Sequence, residues 1–306
     1  MAIRSTIKRI VDYVTSPLMQ RLEQLDSRLT QLDGRLERLQ LAAGRLEAAQ
    51  PGTGFRLSDH EYQVFSQWGE DGIIQFLIKQ VKVRNKIFIE FGVEDYREAN
   101  TRFLLMHDNW TGLVFDADSE NIERVRSSML CWRHGLRAVT ATITRDNINS
   151  LITQQGISGE IGLLSIDIDG NDYWVWQAID AVSPEIVVIE YNHRFGEELA
   201  VTIPYNENFR RGEQHPKIYF GASLRALVVL GDRKGYAFLG CNSNGVNAFF
   251  VRRDRMPDDL KELTVEEGYV AGTFSETSDE QGFFIPPQRD EEHRVVTSLP
   301  LVDVHE

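Results

Sequence analysis

An apolar run, Ile161 to Ile166, ends abruptly in Asp167, and Asp169, Asn171 and Asp172 follow at once in the stretch IGLLSIDIDGNDYWVW. Carboxylates crowded at the end of a buried strand repel one another unless a cation, a proton or a hydrogen-bond donor holds them. A second apolar run closes in Glu190, Asn192 and His193. Oxygen ligands from Asp169, Glu190 and Asn192 suit Mg²⁺ or Mn²⁺, or Ca²⁺, rather than zinc. The metal-free alternative makes Asp167 or Asp169 a general base with its neighbours hydrogen-bonded, and His193 is a further candidate to deprotonate an acceptor. A histidine at a strand end also serves simply as a packed residue. In either arrangement a base or metal turns a poorly nucleophilic hydroxyl into something closer to an alkoxide.

Upstream, the short apolar run from Ile87 to Phe91 contains Glu90 and ends at Gly92, followed by Val93, Glu94, Asp95 and Tyr96. A dinucleotide fold would carry two more glycines here, and two acids beside a pyrophosphate would be repulsive, so NAD and FAD are disfavoured. S-adenosylmethionine has no phosphate and carries a sulfonium cation, which suits an acid-rich loop. Asp116 closes the next apolar run 24 residues after Gly92, near where an acid grips ribose hydroxyls in such folds.

Elements that position these residues follow from periodicity. Strands are expected at 87–91, 113–115, 138–143, 161–166 and 185–190, with helices between them over about 65–78, 101–107 (capped by Asn100), 119–130, 145–154 and from about Tyr173. Such alternation implies an α/β fold with a parallel sheet and right-handed crossovers, whose strand carboxyl ends bind ligand. Residues 191–220 break the rhythm with Arg194, Arg210, Arg211 and Lys217, as a lid or substrate loop does. A helix over 222–230 and two strands, 236–241 and 248–251, joined by the NSNG hairpin signal, follow. The charged end carries an apolar patch at 283–287 and composition compatible with disorder.

At SQWGEDGI, FIEFGV with EANTRFLL, WTGLVFDAD, LLSIDIDGND, PEIVVIEYN and GYAFLGCNSNGVNAFFVRRD, the chain resembles the FkbM-like family of S-adenosylmethionine-dependent methyltransferases, of the Rossmann-like class I. The resemblance spans roughly residues 66–252. It implies a seven-stranded, mostly parallel sheet with an antiparallel last strand, and methyl transfer to oxygen, often on sugars of glycans or natural products, as in polysaccharide biosynthesis. By that match Glu90, Gly92 and Asp116 fall on cofactor positions, Gln67, Glu70 and Asp71 contribute to the same pocket, and Asp167 to Gly170 form the acidic motif. Gln67 to Asp71 read equally as a helix start capped by Ser66. The family's usual run of glycines is reduced to Gly92. The alternative is a non-catalytic methyltransferase-fold scaffold. Catechol O-methyltransferase and metal-dependent macrolide-sugar O-methyltransferases have a comparable acidic metal arrangement.

The 306 residues carry 46 acids against 33 bases, a net charge of −13, which repels nucleic acid in the absence of a basic patch. Cys131 and Cys241 lack metal or disulfide spacing and read as thiols of a reducing, cytoplasmic compartment. No apolar run approaches the ~20 residues of a membrane span. Residues 1–50 form an N-terminal segment of two parts. Ile3, Ile7, Ile10 and Val14, with Arg4, Lys8 and Arg9, make a basic amphipathic face suited to peripheral contact with the inner face of a membrane, and Pro17 ends or kinks it. From Leu18 to Leu46 leucines recur at steps of four and three, with one alanine, Ala43, as a coiled-coil seam. Parallel pairing sets Arg21 against Asp26 and Arg28 against Asp33 of a neighbour, whereas antiparallel pairing sets Arg against Arg. A parallel homodimer or homotrimer is expected. A linker (51–57) marked by QPGTG at 50–54, the methyltransferase domain (58–254) and a C-terminal extension (255–306) complete the chain.

Overall fold

The computed structural model describes residues 2–50, 52, 54, 56–213, 217–273 and 288–305, with side chains from Thr15 onward. The basic face at 3–14 and the patch at 283–287 therefore lie outside the described side chains, as does part of QPGTG.

Seven strands form one sheet in the order β3-β2-β1-β4-β5-β8-β7. They are β1 (Ile87–Phe91), β2 (Thr111–Asp116), β3 (Leu136–Thr140), β4 (Gly159–Ile166), β5 (Val182–Glu190), β7 (Tyr236–Cys241) and β8 (Asn247–Arg252). β1 to β5 pair in parallel, and β8, the last of the seven in sequence, runs antiparallel between β5 and β7. Central strands buried on both faces need the continuous apolar runs seen in IFIEF and EIVVIE, interrupted only where an acid reaches the carboxyl edge. The chain turns outward from β1 to β3 and then restarts at β4, so the crevice between β1 and β4 is a topological switch point.

Helices cover both faces: α2 (Glu70–Val81), α3 (Arg102–His107), α4 (Ser119–Ser127) and α5 (Met129–Arg133) on one, α6 (Ile148–Gln154), α7 (Asp172–Ala178) and α8 (Leu224–Arg233) on the other. Several expectations shift. The helix expected over about 65–78 begins only at Glu70, with Gly69 rather than Ser66 at the cap position. The helix over 119–130 breaks at Ser128, which caps α5. The strand expected over 138–143 ends at Thr140, because reciprocal bonds between Thr144 and Asn147 turn the chain away. Asn100 does not cap α3, since Thr101 is the cap residue and the Asn100 amide reaches Ser165.

The described residues after 255 are built into the fold. Helices α9 (Val265–Gly268) and α10 (Arg289–Thr297) pack on it, and β9 (Val302–Asp303) pairs with β6 (Val201–Thr202) inside the 191–220 insertion. Val265 and Val304 are buried in the main core. At the other end, α1 (Ala2–Ala49) runs unbroken past Pro17, and its last turns pack Leu41 and Ala48 against Val64, Phe65 and Phe103. No described helix is long and apolar enough to cross a membrane.

Candidate active site

A cavity of about 720 Å³ opens at the carboxyl ends of β1, β2, β4 and β5, lined by Glu90, Gly92, Asp116, Asp167, Asp169 and Glu190 among others. Parallel register puts these ends level with one another, as Phe91 lies beside Phe115 and Ile166, and Ile166 beside Ile189. The strand-end acids read from the sequence thus come together.

On the β1 side, the Glu90 carboxylate accepts from the Asn100 and Thr101 amides at 2.8 and 3.1 Å and from the Thr101 hydroxyl at 2.5 Å. It thereby closes the 92–101 loop over the cavity. Burial pushes the Glu90 carboxyl up to about 7, against the lowering effect of these donors. Gly92 has φ +72°, and a Cβ there would lie 1.6 Å from the Asp167 carbonyl oxygen, so only glycine lets the loop cross the neck of β4. Asp116 accepts from the Glu94 and Asp118 amides, each at 2.8 Å and each on a different oxygen, which leaves lone pairs on both facing the cavity wall. Asn121, Ala141, Thr142 and Ile143 line the cavity beyond it.

On the β4 side, carboxylate oxygens of Asp167, Asp169 and Glu190 all lie within 4.8 Å of one another. Burial, then the neighbouring acids, holds both Asp167 and Glu190 well above the usual carboxylate range. Ionising both at once is disfavoured, because two buried charges side by side repel. Glu190 keeps one buried oxygen, Oε2, without a hydrogen-bond partner. Asp169, at φ +55°, is exposed and bonded by Arg211 from the insertion, whose guanidinium also stacks 3.8 Å over Phe220. Asn171 clasps the same insertion through reciprocal bonds with the Asn206 backbone, and Phe209 packs so tightly over Gly170 that a Cβ there would meet its ring at 2.3 Å. The insertion is therefore a lid wall of the cavity, closed onto the acidic loop.

Four sequence candidates sit elsewhere. Asn192 spends its amide on the Ile218 and Phe220 carbonyls and its oxygen on the Arg194 amide, so it braces the lid, and Asp167 takes its place in the oxygen cluster. His193 does not line the cavity; it is buried beneath Gly272, and burial first, then Arg194 and Arg289, pushes it down to about 3. Asp71 is buried and accepts from the amides of Val64, Phe65 and Ser66 and the Ser66 hydroxyl, with burial raising it to about 6. Glu70 joins the Trp68 amide to Asn242 and Asn247 of the β7–β8 hairpin. Both acids shape the wall from behind, and of that motif Gln67 and Trp68 line the cavity. Asn247 and Phe209 were not singled out by sequence, and Arg211 only as one of the bases of the 191–220 loop. Asn247 could have been found from its register, since it pairs directly with Glu190.

No family model and no curated protein matches the sequence. Solved structures with a similar arrangement do exist. They include the N-terminal domain of EvdMO1 with SAH bound (10% identity, covering 60% of this chain and 79% of that chain, TM-score 0.39). An S-adenosylmethionine-dependent methyltransferase from Clostridium acetobutylicum matches at 10% identity over 60% of this chain and 92% of that one, TM-score 0.39. The O-methyltransferase from Bacillus cereus in complex with SAH matches at 13% identity over 69% and 88%, TM-score 0.39. Likeness at this level carries no conclusion about function.

Proposed function

We propose that the chain is an S-adenosylmethionine-dependent O-methyltransferase acting on a sugar hydroxyl of a glycan or glycosylated acceptor. The observation that carries this reading is the acidic crevice at the switch point, with Glu90, Gly92 and Asp116 on one side and Asp167, Asp169 and Glu190 on the other. The amides at the start of α3, which a dinucleotide fold would offer to a pyrophosphate, are taken by Glu90. A sulfonium cofactor has no use for them, and its positive charge is favoured by the surrounding acids. Asp116 would accept from ribose hydroxyls through its remaining lone pairs.

The bound cofactor supplies an electrophilic methyl group. It would pass that methyl to the acceptor oxygen and leave as S-adenosylhomocysteine, and the Asp167–Glu190 pair is placed to take the proton that the acceptor hydroxyl gives up. Burial and the neighbouring acids raise their proton affinity above that of an ordinary carboxylate, which strengthens them as bases. The same oxygens, with Asp169 and the unpartnered Glu190 Oε2, fit a hard divalent ion, Mg²⁺ or Mn²⁺, which would make the acceptor hydroxyl more acidic. Arg211 already holds positive charge on Asp169. Glu207, Arg210 and Asn247 offer hydrogen-bonding groups beside the Phe209 ring, a lining suited to a sugar.

Calorimetry with S-adenosylmethionine and S-adenosylhomocysteine tests the reading. Binding at one site per chain is expected, and folded protein that binds neither would overturn it in favour of a scaffold. Exhaustive chelation followed by Mg²⁺ or Mn²⁺ addition tests the metal: loss and recovery of turnover is expected if an ion sits on the acids, and full activity after chelation leaves the carboxylate pair as the base.

A further inference from the structure

Helix α1 has two faces that meet different surroundings. On its back, Gly44 approaches so closely that a Cβ would lie 2.5 Å from Val64, Leu41 and Ala48 pack on the same cluster, and Glu37 pairs with Arg102. The Lys79 ammonium adds a bond to the Ala48 carbonyl at 2.8 Å. The chain's own domain thus occupies the b and f positions of the heptads over the last turns of the helix. The a and d positions point away from it, and the leucines from Leu18 to Leu39, together with Leu46, are each 52–68% exposed. A solvent-exposed stripe of that length is not a surface a single chain retains in isolation.

We infer that a second copy of this chain covers the stripe, in parallel and in register. Self-pairing in that sense sets Arg21 and Arg28 at g beside Asp26 and Asp33 at e of the other copy; all four side chains are exposed, and Asp33, also 3.9 Å from Arg97 of its own domain, is shared between the two. The antiparallel alternative sets arginine beside arginine. The helix's own domain does not compete for the seam, because it is docked on the far side. The docking also removes slack: the last turns of α1 are fastened to α2 and α3, so the paired coil carries its two domains as fixed outriggers at one end rather than on a free tether. The inference stands whether or not the crevice binds S-adenosylmethionine.

Light scattering on the full chain is the test. A mass of a multiple of 35.0 kDa is expected, falling to one chain in the triple variant Leu25→Lys, Leu29→Lys, Leu32→Lys. Those side chains touch nothing within the chain's own core, so circular dichroism should show the variant's domain folded. Orientation is read from Leu18→Cys and Leu39→Cys, each in a Cys131→Ser background: mild oxidation should link most chains covalently at both positions. A full chain that is monomeric at tens of micromolar, an assembly that survives the three lysines, or assembly without either cross-link would overturn the inference.

Discussion

At the residue scale, the crevice depends on a few side chains whose roles are separable. Gly92→Ala should abolish cofactor binding in calorimetry and destabilise the fold by more than about 1 kcal/mol, because φ is positive and the Asp167 carbonyl leaves no room. Asp116→Ala should weaken S-adenosylhomocysteine binding by about 1–3 kcal/mol, and unchanged affinity in folded protein would remove Asp116 from the ribose role. Glu190→Gln should lower kcat by about 10²–10⁴-fold while leaving cofactor affinity nearly intact. Glu90 makes a different prediction. Folding raises its pKa from 4.5 to about 7, so its contribution to stability is full below the lower value and fades as pH rises through the upper one. Urea midpoints measured from pH 5 to 8 should fall with rising pH, and Glu90→Gln should flatten that slope. The strand-end acids were legible because each interrupts a hydrophobic run at its end. Asn192 and His193 were not, since the direction of a side chain just past a strand is set by what covers it, here Ile218, Phe220 and Gly272, all remote in sequence.

At the element scale, α1 reaches the crevice through a relay. Glu37 pairs with Arg102, which donates to the carbonyls of Tyr96 and Arg97 at 3.1 and 2.9 Å, and the loop so held presents Glu94, Glu98 and Asn100 to the cavity. Asp33 adds a longer contact to Arg97. Glu37→Ala should increase amide hydrogen exchange in residues 92–101 and cost about 1 kcal/mol or less in stability, Glu37 being partly exposed. A linker at 51–57 would make residues 1–50 separable from the domain. The structure corrects this, because removing them uncovers Val64, Phe65 and Phe103. Strand positions were readable from periodicity alone, yet the heptads say nothing about the b and f positions, where Gly44, Leu41 and Ala48 look like ordinary surface until a partner helix is in view.

At the scale of the whole molecule, the parallel pairing of the central strands followed from alternation, while their order and the fold-back of the C-terminal residues did not. β6 and β9 are two residues each and pair across about 100 positions of sequence, too short to leave a periodic signal. Their pairing ties the lid insertion to the chain's last residues, and Arg194 paired with buried Glu292 does the same for α10. The two-sided use of α1 also fixes a phase. Each residue of an α-helix turns the side chain by about 100°, so one residue inserted between Leu32 and Glu37 would swing the outer leucines out of line with those beyond the domain contact, whereas seven would restore the alignment and lengthen the rod by about 10 Å. In the paired coil inferred above, length changes in this stretch would be tolerated in whole heptads, and the helix would act as an indexed shaft setting the angle between the two crevices.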